Sequence, residues 1–143
     1  MLRKMFFILV LSLLLVGCGA KATQEAATEI TVETTDFAYS PASITVPVGQ
    51  PVTLTLNNMG AAEHDFVVEK INVTDVKASN TGPAMQHQMG EMPDYDLHFF
   101  APAGDKAVLN FTALEPGTYE IFCSIEGHKE AGMIGKLIVV DQE

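Results

Sequence analysis

Apolar and polar residues change places at every second position along much of this chain, the period of half-buried strands. Ile30 to Phe37 alternates crudely and is rich in Thr and Val. Tyr39-Ser40-Pro41-Ala42 reads as a turn ahead of Ile44-Thr45-Val46. Pro47-Val48-Gly49-Gln50-Pro51 then interrupts pairing, because proline lacks a donor and glycine tolerates turn geometry. Val52 to Leu56 is the next strand and Asn57-Asn58-Met59-Gly60 the next turn. His64 to Glu69 follows, with His64, Phe66 and Val68 on one parity and Asp65 and Glu69 on the other. Ala107 to Phe111 and Gly117 to Phe122 are divided by a Glu115-Pro116-Gly117 turn, and Ile134 to Val140 closes the set. Short strands, frequent turns and no helical period predict an all-β sandwich. Val73 to Pro102 has no clear pattern, although Phe99 and Phe100 are expected to re-enter the core.

The front of the chain obeys a different rule. Arg3 and Lys4 precede an apolar run from Met5 to Val16, too short for a bilayer-spanning helix and proportioned like a secretory signal. Its end, Leu15-Val16-Gly17-Cys18, resembles a bacterial lipoprotein signal, in which cleavage before the cysteine leaves that residue carrying lipid. The expected organisation is a signal over 1–17, a lipidated Cys18 with a polar tether over 18–28, and one domain over 29–143. The alternatives are a soluble secreted protein cut nearby and an uncleaved anchor. The expected location is the extracytoplasmic face of a prokaryotic membrane.

Charge narrows the partners. Eight Lys and Arg stand against 18 Asp and Glu, and loss of Arg3 and Lys4 with the signal leaves a net charge near −12. That argues against nucleic acid and against direct docking on anionic lipid. It favours solubility or a partner with a basic face.

The chemistry gathers between the last two strands. Cys123-Ser124-Ile125-Glu126-Gly127-His128-Lys129-Glu130-Ala131-Gly132-Met133 places a thiol, an imidazole and a thioether in one short loop. With Cys18 lipidated, Cys123 has no partner in the chain, and metal ligation gives an exported lone thiol a reason to survive oxidation. Sulfur with imidazole nitrogen suits copper, and two His and one Cys with a weak axial Met is the blue-copper arrangement. His64 supplies the second imidazole. Parity agrees: Cys123 shares a face with Tyr119 and Ile121, and Met133 with Gly135, Leu137 and Val139. Taken singly, His64 reads as a boundary histidine, Met133 as core filling, Cys123 as a small hydrophobe and His128 as a loop residue. Together they predict one copper ion held by His64, Cys123, His128 and Met133. Met85, His87, Met89, Met92 and His98 form a second Met/His-rich stretch. It reads either as a weaker or transfer copper site or as a flap over a sandwich edge.

On these residues the chain resembles the cupredoxins, the family that includes plastocyanin, azurin and halocyanin. The spacing of four residues from Cys123 to His128 and four more to Met133 is most similar to the auracyanins. The resemblance runs from Glu29 to Val140 and takes in the Pro47-Val48-Gly49 turn and the Pro116-Gly117-Thr118-Tyr119 approach. It implies a Greek-key β-sandwich, equatorial His64, Cys123 and His128, axial Met133, and single-electron shuttling between larger redox complexes by a monomer that is not an enzyme. It also implies an exposed edge of His128 as the electron port, with Met59, Gly60, Ala61, Ala62, Ala131, Gly132 and Ile134 as an apolar rim. Copper storage, delivery or resistance is the alternative. Related domains often carry Asn where this chain has Asp65. Asp65 either accepts from Ser124 and ties the two ligand segments together, or points to water.

Overall fold

The computed structural model describes residues 25–80 and 94–142. Its strands are β1 (Glu29–Thr35), β2 (Ala38–Ser40), β3 (Ser43–Pro47), β4 (Pro51–Asn58), β5 (His64–Val68), β6 (Val73–Asn80), β7 (Leu97–Ala101), β8 (Lys106–Ala113), β9 (Gly117–Phe122) and β10 (Ile134–Val140). They form two five-stranded sheets, ordered β2-β1-β4-β8-β6 and β3-β10-β9-β5-β7. The described residues contain no helix, and the all-β sandwich expected from the pattern is the fold.

Alternation works where one face of a strand is buried. In β4, Val52, Leu54 and Leu56 point inward, opposite Phe111, Leu109 and Ala107 of β8. In β10, Leu137 and Val139 do the same. Phe66 lies at the centre, fully buried, with ring centroids 5.5 Å from Phe99 and 6.1 Å from Tyr39 of the other sheet. Burying a side chain of this size stabilises by about 1.5–3 kcal/mol. Gly135 is required by closeness rather than by conformation: a Cβ there would meet the Ala42 carbonyl oxygen at 2.6 Å.

Two pairings are parallel, β1 with β4 and β3 with β10. Since β4 ends and β10 begins at the loop end of the sandwich, Glu29 and Pro47 lie toward the other end. The chain is bound before β1 begins, through Ala27 N to Thr45 O at 2.9 Å and Thr53 N to Thr28 O at 2.7 Å. Ala27 and Thr28, within the segment expected to be tether, are thus bonded to the two sheets.

Three local expectations change. The first strand stops at Thr35, and Phe37 turns the chain with a left-handed backbone at φ 64°. Tyr39 belongs to β2 rather than to a turn, because its ring fills the inter-sheet space. The patternless stretch contains β6 and β7. The first is an edge strand with a register shift between Thr74 and Lys77, and the second buries Leu97, Phe99 and Ala101.

Candidate metal centre

His64 opens β5, and all five residues of that strand are buried. The turn before it is held by Asn58, whose Nδ2 donates to the carbonyls of Ala62 (2.7 Å) and Ala101 (2.9 Å) while Oδ1 accepts from Gly60 N (2.9 Å). Gly60 brings this turn against the ring; a Cβ there would sit 3.1 Å from His64 Nε2. Read from sequence, Asn58 is only a turn residue. The structure makes it the brace of the upstream histidine.

The downstream loop closes on itself. Met133 N donates to His128 O at 3.0 Å, and Cys123 N donates to Met133 O at 3.2 Å. Further bonds run from His128 N to Ile125 O and from Ala131 N to Gly127 O, both 3.0 Å. Gly127 and Gly132 take φ values of 82° and 99°, a backbone region that glycine enters without cost. The three candidate ligands of this loop are therefore tied to one another through the main chain.

These two elements bring His64, Cys123 and His128 together, with one potential ligand atom from each lying within 4.8 Å of the others. Cys123 Sγ lies 3.3 Å from His128 Nδ1. Met133 is fully buried, in the hydrophobic core that also takes in Cys123. Among the described residues neither ring nitrogen of His64 has a hydrogen-bond partner. An unpaired buried polar atom costs about 1–3 kcal/mol, and a metal ion would relieve that. The donor set is two nitrogens and a sulfur, which is copper chemistry. The cluster is a buried site for a single metal ion.

Electrostatics agree with ligands kept for a metal. Burial pushes the Cys123 thiol up to about 12. Burial, then the nearby His128, lowers His64 below the usual imidazole value, against the charges of Asp36, Asp65 and Glu63. Both groups are neutral near pH 7, so a bound cation has to displace the thiol proton.

Asp65 points to the loop rather than to water. Its Oδ1 accepts from Ser124 N at 2.7 Å and its Oδ2 from the Ser124 hydroxyl at 2.5 Å, while His98 Nε2 lies 3.1 Å from Oδ2. Burial disfavours its charge, but the bonds from His98, Ser124 and Cys123 outweigh that and hold the carboxyl below the ordinary carboxylate range. Tyr39 donates its hydroxyl to Asp65 O at 2.6 Å from the opposite sheet.

The structure also supplies residues the sequence reading missed. Phe37, 47% exposed, meets the His128 ring edge-on with centroids 5.1 Å apart, whereas His128 is only 9% exposed. Met59 and Ile134 of the expected rim are exposed as well. His98, the one member of the Met/His-rich stretch among the described residues, belongs to β7 with its ring on Asp65. Cys18, Met85, His87, Met89 and Met92 lie outside the described residues.

The fold and this cluster define a class, and comparison with known proteins gives the same one. The model of the cupredoxin-like domain matches residues 6–139, and the chain belongs to that family. Among its relatives, the copper-resistant cuproprotein CopI of Rubrivivax gelatinosus is 33% identical over 129 residues, covering 86% of this chain and 70% of the relative. Auracyanin-A of Chloroflexus aurantiacus is 29% identical over 112 residues, covering 73% and 68%. The dithionite-reduced auracyanin of Roseiflexus castenholzii superposes with a TM-score of 0.62 at 27% identity, covering 81% of this chain and 99% of that one. A cupredoxin fold with a His/Cys/His cluster supports a role in electron transfer.

Proposed function

We propose that this protein is a type-1 copper protein that passes single electrons between larger redox complexes, held on the outer face of a prokaryotic membrane by lipid on Cys18. His64, Cys123 and His128 are its equatorial ligands and Met133 its axial one. The observation that carries this reading is the buried cluster of His64, Cys123 and His128. Bound there, copper supplies reversible one-electron chemistry.

The protein's part is to hold the donors still and dry. Asn58 fixes the turn ahead of His64, and the loop's own backbone bonds fix Cys123, His128 and Met133. Little then has to rearrange when the charge of the site changes. The buried thioether and its apolar shell tune the potential. Phe37 and the edge of His128 form the port, where an apolar partner surface can approach closely.

Optical and electron-paramagnetic-resonance spectra of the domain with one equivalent of copper(II), repeated on Cys123→Ser, test the reading. An intense visible thiolate band with small hyperfine splitting, lost in the variant, is the expected result. Colourless binding that survives the substitution would sink it. Acylation of the exported full chain, abolished by Cys18→Ala, tests the anchor.

A second reading, copper delivery or resistance, is favoured by the name of the CopI relative. Net transfer of copper to a recipient, dependent on Met85 and Met89, would support it. Fast electron self-exchange with unchanged copper occupancy would support the carrier.

A further inference from the structure

Besides the Cys123 thiol, Asp65 has three donors within reach, and they come from two places. Two belong to Ser124, which sits in the loop that Asp65 braces. The third is the His98 imidazole, 33 residues along the chain from Asp65 and part of the sheet framework. In the β5–β7 register Asp65 faces Phe100 and Val67 faces His98, so the two side chains lie diagonally on one sheet face. The Tyr95 ring meets the imidazole edge-on, with centroids 5.8 Å apart at 85°, and fixes its plane.

What Asp65 grips matters more than how tightly it does so. The Ser124 N–H is part of the peptide joining Cys123 to Ser124, and the orientation of that peptide plane fixes the backbone that carries the Cys123 sulfur. Asp65 stands on β5, so its backbone already ties the loop to the sheet. Bonded only to the loop, its carboxylate could still turn about its own side-chain torsions; the bond to His98 on β7 fixes that orientation. Asp65 is 4% exposed, so water cannot replace a lost donor without the loop opening.

We infer that His98 is a positioning residue of the metal site: through Asp65 it holds the Cys123–Ser124 peptide, and with it the thiolate, in register with His64. The inference rests on the copper reading only for what the positioning serves; the anchoring itself belongs to the metal-free protein.

The test compares wild type with His98→Phe, which removes the donor but keeps a ring beside Tyr95, and with His98→Gln, which restores a donor. Amide hydrogen exchange is read in the copper-free protein at Ser124, with Leu137 of β10 as a control for the whole fold. In His98→Phe the Ser124 amide exchanges about tenfold faster, Leu137 is unchanged, and His98→Gln returns Ser124 toward wild type. After copper loading, the thiolate band shifts in the Phe variant and recovers in the Gln variant. Equal Ser124 exchange and equal spectra in all three proteins would overturn the inference. So would parallel acceleration of Ser124 and Leu137, which marks a merely structural role. Absence of a thiolate band in wild type would overturn the copper reading, while the exchange comparison would still decide the anchoring.

Discussion

His64 and His128 reach the same small volume from opposite kinds of backbone. The first opens a strand buried on both faces, beneath a turn braced by Asn58. The second rides on a glycine-containing loop at the surface, with Phe37 edge-on against its ring. One side of the centre is framework and the other is doorway. A carrier needs both, because a ligand sealed on all sides cannot hand over an electron quickly and one open on all sides cannot hold its geometry.

Removing either imidazole tests that contrast most severely. His64→Gly and His128→Gly should each weaken copper binding by more than about 100-fold, beyond the usual cost of losing an outer hydrogen bond. Added imidazole should restore the thiolate band in the His128 variant and leave the His64 variant colourless. Next in size is Phe66→Ala, expected to cost about 3–5 kcal/mol in denaturant unfolding of the copper-free protein because it empties the centre of the framework.

Acidity gives a graded version. The Cys123 thiol, at about 12, keeps its proton throughout the neutral range, and copper must release it. Affinity should therefore rise with pH, by about tenfold per unit between roughly pH 6 and 8, in a competition titration. Asp65→Asn should raise the reduction potential, since a buried negative charge favours the more oxidised ion. A tenfold change in relative affinity for the two oxidation states would read as about 59 mV. Phe37→Gly should change least in stability, within about 1 kcal/mol, because relief of its left-handed backbone offsets the lost contact. Its electron self-exchange, measured by line broadening, should nevertheless slow.

The framework and doorway differed in how legibly they were written. Cys123, His128 and Met133 lie at short spacings in one loop, and copper chemistry itself asked for the distant His64. Strands β4, β8 and β10 alternate because one face of each is wet. β6 could not be read: it is an edge strand whose bulge places Asp75 at φ 56° and breaks the period. In β7 the adjacent Phe99 and Phe100 hide an alternation that the burial shows. Asn58, Phe37 and His98 escaped for a different reason. Each acts through a contact made across the fold, and residue type alone does not reveal such a partner.

The entry of the chain has a consequence for orientation. Among the described residues main-chain bonds begin at Ala27, and β1 then climbs in parallel with β4 toward the metal-site end. If Cys18 is the mooring proposed above, the described chain enters the sandwich at the pole opposite the port, an arrangement that favours a port turned away from the bilayer. The molecule would work as a buoy, meeting complexes that project from the same membrane or stand opposite it, and finding them by drifting in two dimensions.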